Sequence, residues 1–458
     1  MKACRGIGVL RPVFLSAAII FLTRASSFGV NAGDFSPQPK KMNLSGSAVR
    51  LGKNAAVDIP PAFERTYKSP VSSFKAAMAS LPLEKGSPGI KAEVAAPTEA
   101  DSSERRAALT RRGGYVIEVA GSVITVAGAD EIGVLYGLAT MEGLITKEGG
   151  AFRQGAIIDW PDHKARALHL VVRHTNKEDI KTLINKARLG RFNILIMDVS
   201  DGVRFKANAE TALKGAWSAE DFMEVVSFAV ENGLDVVPEV KLLTHQYWFL
   251  KNSRPELMYN KFTYDPRKEE TYRFVTAMLD EIIELIRPRA VHIGHDEAAA
   301  PKGERMLPPE LFLKDVERLH GYLKKKGVET WMWGDMLAAP YEFPGMNFRY
   351  LHGVEGYAQI RGKIPKDVVI CDWRYSEPGL EFPSAAAFAK DGHGVLGATW
   401  TAVPTTRNFS RYMAGMPGAE GMIATTWFHV QKKEWDTVDR IMKTSSDAFW
   451  NAGADNGK

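Results

Sequence analysis

Residues 290–297 read AVHIGHDE, a short apolar run that stops at Gly294 and delivers His295, Asp296 and Glu297 in succession. Five residues of this kind suit a buried strand, and the polar group at its end suits the edge where a parallel sheet presents its chemistry. The question is whether other strands share that design. Seven more runs do: ALHLVV (167–172), NILIMDV (193–199), DVVPEV (235–240), TWMWG (330–334), VVICDW (368–373), VLGATW (395–400) and MIATTW (422–427). Helical spacing of apolar residues fills several of the intervals, clearest in KEDIKTLINKARLG, SAEDFMEVVSFAVENG, KEETYRFVTAMLDEIIELI and PELFLKDVERLHGYLKKKG, and WDTVDRIMKTSSDAFW follows the last strand. Eight strands alternating with helices predict an α/β chain built on a (β/α)8 barrel of the TIM type. A doubly wound open sheet is the alternative, but no glycine-rich turn follows an early strand.

Upstream of the barrel the pattern changes. YVIEVAGSVITVAG (115–128) is two Val/Ile runs around a glycine turn, and ADEIGVLYGLATMEGLI (129–145) has helical spacing. A small α/β domain over 33–150 is expected, with the barrel over 151–458. The stretch SPGIKAEVAAPTEADSSERRAALTRRGG reads as a weak strand and then an exposed, charged loop. Residues 1–32 read as a signal peptide: Lys2, Arg5 and Arg11 precede the apolar run VFLSAAIIFL, and VNAG offers cleavage after Ala32. That run is short for a membrane span, so no stable span is expected once the leader is removed. Localisation is expected to be exported, periplasmic or extracellular.

The formal charge of +5 includes Lys2, Arg5, Arg11 and Arg24 of the leader, which holds no acidic residue, leaving +1 beyond it. The mature chain has no basic signature of a nucleic-acid partner. Cys371 is its only cysteine, so no internal disulfide supports the fold.

The strand ends collect the candidate site. The second strand runs into Asp198 and Asp201. The third carries Glu239 and leads to His245, and the fourth gives His292, His295, Asp296 and Glu297. The last four end at or near Trp333, Trp373, Trp400 and Trp427. Indoles around carboxylates suit sugars, whose C–H faces stack on aromatic rings while carboxylates take the hydroxyls. The plainer reading is that large aromatics cap the barrel.

Adjacent carboxylates raise one another's pKa, and a protonated acid is what glycosidic cleavage requires of its leaving-group donor. Strand residues alternate in direction, so the backbone must turn for Asp296 and Glu297 to share a cavity; otherwise Asp296 caps the next helix. His292, His295, Asp296 and His245 also raise a metal site, although the helical HExxH spacing is absent. A buried His292 bonded to Asp201 or Glu239 is the competing assignment. No metal and no cofactor are expected.

On these residues the chain resembles glycoside hydrolase family 20, the β-N-acetylhexosaminidases and relatives. HIGHDE is similar to the family's His-x-Gly-Gly-Asp-Glu signature, PEVKLLTH to its proline–glutamate and histidine stretch, and NILIMDVSDGVRF to the segment holding its aspartate. The resemblance implies Glu297 as general acid and Asp296 as the group that orients the substrate's 2-acetamido nucleophile. It implies sugar contacts from Arg166, Asp201, Glu239 and His245, and the strand-end reading adds His292, Trp333, Trp373, Trp400 and Trp427 as expected substrate-binding residues. The implied partner is a carbohydrate and the implied activity an exo-acting, retaining O-glycosyl hydrolase acting on terminal β-linked N-acetylhexosamine. A glycosidase of different sugar specificity, or a non-catalytic carbohydrate-binding barrel, are the alternatives. The chain departs from the family pattern at several positions. His295 stands for the second signature glycine, Lys241 for an aspartate, Thr244 for a glycine and His429 for a glutamate. The stretch from Arg166 to Arg173 is one residue shorter. The acetamide-binding tyrosine has no clear match, and Tyr375 is the candidate.

Overall fold

The computed structural model describes residues 33 and 35–454 apart from Trp248, Ala299, Pro301 and Pro378. The leader read at 1–32 lies outside the described residues.

Eight parallel strands close the barrel: β1 (Ala165–Val171), β2 (Ile194–Asp198), β3 (Asp235–Leu242), β4 (Ala290–Gly294), β5 (Glu329–Trp333), β6 (Val368–Trp373), β7 (Val395–Thr399) and β8 (Ala419–Thr425). β8 returns to β1 with Met422 opposite Arg166. The side-chain period of two sorts each strand into two cores. Ala167, Ile194, Ile196, Val237, Leu396 and Ile423 fill the barrel with Trp331 and Trp333. Their neighbours Leu168, Leu170, Leu195, Met197, Val236 and Val291 face the surrounding helices. Burial on both faces explains why these strands read as unbroken apolar runs.

A six-stranded sheet precedes the barrel, in the order Lys41–Asn43, Gly155–Asp159, Tyr115–Ala120, Val123–Gly128, Gly89–Val94 and Val57–Asp58. Helices Lys68–Ala79 and Glu131–Glu148 supply Phe74, Met78, Leu138 and Met141 to a core shared with Ile117 and Val126 of the sheet. The stretch expected as a charged loop contains a helix, Ser103–Thr110. Ser102 caps it by accepting from the Arg105 N–H, and its Ala108 and Leu109 are buried. The strands Ala151–Arg153 and Gly155–Asp159 pair with Ala48–Arg50 and with this sheet. The small unit therefore extends about ten residues past the expected boundary at 150, because those strands complete its sheets rather than start the barrel.

The two parts are joined through one buried carboxylate. Asp159 accepts from the Tyr115 hydroxyl at 2.9 Å, the Trp450 indole at 2.9 Å and the Lys40 N–H at 3.0 Å, and pairs with Arg191. Both ends of the described chain meet on this side. Lys40 Nζ reaches Asp162 at 2.9 Å and Asn451 at 3.0 Å, and Ser36 bonds Asp447 at 2.7 Å. Among the described residues no helix is long and apolar enough to cross a membrane.

Candidate active site

Where β4 ends, the backbone leaves its regular alternation. Gly294, His295 and Glu297 have φ of 74°, 71° and 49°, all left-handed. Only glycine adopts this region at little cost. The turn separates three side chains that a strand would alternate. Asp296 and Glu297 both line a cavity of about 460 Å³ at the C-terminal mouth of the barrel, a size usual for small-ligand sites. His295 points behind it. Its Nε2 lies 2.9 Å from Asp315 Oδ2 and its Nδ1 2.9 Å from the Ile293 carbonyl, with Phe312 packed edge-on. Asp315 also accepts from the Tyr264 and Tyr272 hydroxyls at 2.9 and 2.6 Å. The histidine in place of the signature glycine is thus absorbed by the layer between barrel and helices.

The two carboxylates have opposite electrostatic surroundings. Asp296 is buried. His245 Nε2 lies 3.1 Å and Lys241 Nζ 3.6 Å from its Oδ2. Burial alone would push its pKa up, but Lys241 and His245 outweigh burial and hold it well below the usual carboxylate range. Its Oδ1 is buried and accepts no hydrogen bond among the described residues. Glu297 has a half-exposed side chain, and burial, then Asp296 and Asp335, push its pKa up. Its backbone N–H donates to Asp335 Oδ2 at 2.9 Å. The same buried carboxylate accepts from His352 Nδ1 at 2.8 Å and from the Trp373 indole at 3.1 Å. One side chain thus fixes the acid's backbone, one cavity wall and one rim loop.

Beneath the cavity lies a buried charge cluster. Glu239 meets His169 Nε2 at 2.6 Å, Lys241 Nζ at 2.9 Å and the Trp333 indole at 3.0 Å. Its pKa is raised by burial, but Lys241, His292 and His169 overcome that and hold it well below the usual value. His292 accepts the Gly294 N–H at 3.1 Å, and burial lowers it to about 4. Asp198 lines the cavity and is pushed up to about 6 by burial and then by Glu239.

The expected site residues therefore fall into three groups. Asp296, Glu297, His245, Trp373, Trp400 and Trp427 line the cavity, and Tyr375 lines it too, accepting from the Trp427 indole at 2.9 Å. Glu239, His292 and Trp333 are wholly buried below it, and Asp201 stands behind Arg173, joined to it at 2.9 Å. Arg166 is elsewhere. As the second residue of β1 it lies at the opposite mouth, donating to the His163 carbonyl, the Arg191 carbonyl and the Tyr136 hydroxyl at 2.7, 2.8 and 3.1 Å. The expectation for Arg166 is corrected: the arginines that line the cavity are Arg173, two residues past the end of β1, and Arg349. His429 is also outside the cavity lining, packed on Trp400 and paired with Glu434. The sequence reading missed Asp335, His352, Arg173 and the lining residues Tyr247, Arg349, Tyr350, Phe428 and Gln431.

His245, Asp296 and Glu297 each bring a ligand-type atom within 4.8 Å of the others. The Lys241 ammonium already occupies the electropositive place beside Asp296, and His292 and His295 face away, so the donor set is poor for a divalent cation.

A barrel with its titratable groups at one mouth and indoles around them is of the sugar-processing class. The chain belongs to glycosyl hydrolase family 20: residues 34–160 match the family's domain 2 and residues 191–403 its catalytic domain. It is 24% identical over 318 residues to a β-hexosaminidase of Vibrio furnissii, covering 58% of this chain and 49% of the relative. The chain spans about half the length of that curated relative, and 38% of a second from Vibrio vulnificus. A β-N-acetylhexosaminidase from Bacteroides fragilis superposes with a TM-score of 0.69 at 20% identity, covering 91% of this chain and 90% of that one. A chitobiase from Flavobacterium johnsoniae gives 0.70 at 17% identity, covering 91% and 69%. At these identities the structural likeness concerns the fold.

Proposed function

We propose that this protein is an exo-acting glycoside hydrolase that removes terminal β-linked N-acetylhexosamine with retention, the substrate's own acetamide serving as nucleophile. The observation that carries the reading is the opposed pair on one turn: a carboxylate held ionised with a bare oxygen, beside a carboxylic acid with a raised pKa.

The steps follow from that pair. The acetamide N–H donates to Asp296 Oδ1, which turns the carbonyl oxygen toward the anomeric carbon. That oxygen attacks, the glycosidic bond breaks, and Glu297 gives its proton to the departing oxygen. The cyclic intermediate carries positive charge, which ionised Asp296 stabilises. Glu297, now a carboxylate, takes a proton from water as water attacks the anomeric carbon and the acetamide is restored. Tethering the nucleophile supplies high effective concentration, and general acid catalysis adds about 10²–10⁴-fold. Trp373, Trp400 and Trp427 offer apolar walls to the sugar ring. A cavity closed below by buried Glu239 and Trp333, with Lys241 in its wall, suits a chain end rather than a chain interior. We assign the leader at 1–32 to export.

The test is release of p-nitrophenol from the β-N-acetylglucosaminide by the wild type, Glu297→Gln and Asp296→Asn. A fall of at least about 10²-fold in both variants supports the roles. Unchanged turnover in Glu297→Gln overturns the acid assignment. Folded wild type that cleaves only glycosides without the acetamide points to the alternative sugar specificity, for which Lys241 on the cavity wall is the structural argument.

A further inference from the structure

We infer that the leaving side of the cavity is a subsite for an acidic sugar, one bearing a carboxylate, with Arg349 as its recognition residue. The inference rests on the assignment of Glu297 as the acid, because the group that accepts its proton lies between Glu297 and the departing sugar.

The neighbourhood of Glu297 is set by the loop after β5. Asp335 holds the Glu297 N–H and His352 Nδ1, and His352 Nε2 lies 3.1 Å from the Arg349 carbonyl. Arg349 and Glu297 line the same cavity, and both are exposed at its mouth. One feature of Arg349 needs a purpose. No ion pair and no hydrogen bond of its guanidinium occurs among the described residues, whereas Arg173, Arg361 and Arg374 each hold a carboxylate. Glu377, on the next loop, is buried and accepts the Asn347 N–H at 2.6 Å. Beside Arg349, Phe348 is 68% exposed. Both belong to a single turn of helix, Phe348–Tyr350, tied down by Asn347, whose side chain accepts from the Arg349 N–H at 3.2 Å.

An uncommitted guanidinium on the rim of a cavity that Tyr350 and Trp373 also line is a match for a sugar that is apolar on one face and anionic at one substituent. The planar guanidinium binds carboxylate with two parallel N–H donors. A carboxylate on the ring, as in a uronic acid, and one on an ether arm, as in a muramic acid, share this chemistry.

The experiment uses Glu297→Gln protein, so that binding is read whether or not the wild type turns over. Quenching of the cavity tryptophans gives Kd for three disaccharides with N-acetylglucosamine at the non-reducing end: N,N′-diacetylchitobiose, the glucuronate and the N-acetylmuramate. At least one acidic ligand should bind about fivefold tighter than the neutral one at low salt, the size expected of a well-formed partly exposed ion pair. Adding Arg349→Gln should abolish the difference, Arg349→Lys should keep part of it, and high salt should shrink it. Equal Kd for all three ligands, or a preference that survives Arg349→Gln, overturns the inference. Absence of p-nitrophenol release by folded wild type would overturn the hydrolytic reading instead, and the binding series would still decide this one.

Discussion

Lys241→Met isolates the charge that sets Asp296's state. Methionine keeps the unbranched stem, one atom shorter, and removes the ammonium 3.6 Å from Asp296 and 2.9 Å from Glu239. At the first distance, and with an effective dielectric of about 20, the attraction is about 4–5 kcal/mol, equivalent to about 3 pKa units. That is an upper limit for Asp296, because His245 remains 3.1 Å away. Since Asp296 is depressed in the fold, its contribution to stability is present above the unfolded value of about 3.9 and is lost as pH falls through the folded value. Removing Lys241 raises the folded value. The acid limb of the kcat/KM profile should then move up by as much as about 3 pH units, while the basic limb, set by Glu297, moves less. The unfolding free energy at pH 7 should also fall by about 3–5 kcal/mol, the penalty for stripping one partner from a buried pair. The assay is a pH–rate series with p-nitrophenyl N-acetylglucosaminide beside denaturant unfolding of the same preparations. A variant that is destabilised but keeps the wild-type acid limb would refute the electrostatic reasoning and leave Lys241 as packing alone.

Three further outcomes follow from the same geometry. Asp335→Asn removes one of the charges that raise Glu297, so the basic limb of the kcat profile should shift to lower pH, which a pH series checks directly. His295→Ala should cost about 1–3 kcal/mol in denaturant unfolding by withdrawing a partner from buried Asp315, while kcat/KM changes less than about threefold, since the ring faces away from the cavity. Arg173→Met should raise KM, whereas Arg166→Met should lower the unfolding midpoint with little change in KM, because of these two only Arg173 reaches the cavity.

The barrel was legible because burial on both faces leaves each strand an uninterrupted apolar run with an abrupt polar end. Ala290–Gly294 and Val368–Trp373 begin and end where their sequences predict. The placing of Asp296 and Glu297 at a strand end was legible for the same reason. Arg166 was not: the family likeness put it at the sugar, while its place at the start of β1 puts it at the far mouth. The tryptophans look equivalent along the chain, yet Trp333 falls on the inward face of β5, below the cavity, while Trp373, Trp400 and Trp427 reach its wall. Asp335 and His352 lie 17 residues apart in a long loop without periodicity, and only folding brings them to Glu297. The helix Ser103–Thr110 escaped notice because its charged sequence buries just Ala108 and Leu109.

The knot of bonds around Asp159, Lys40 and Asn451 has a practical corollary. It gathers both ends of the described chain beside the start of β1, on the side away from the strand ends that open to substrate. A support, a tag or a neighbouring module joined at either end would leave the cavity pointing outward. Protein immobilised beside either described end should therefore bind a ligand in the cavity as readily as free protein does, without the orientation losses that attachment near a cavity mouth brings.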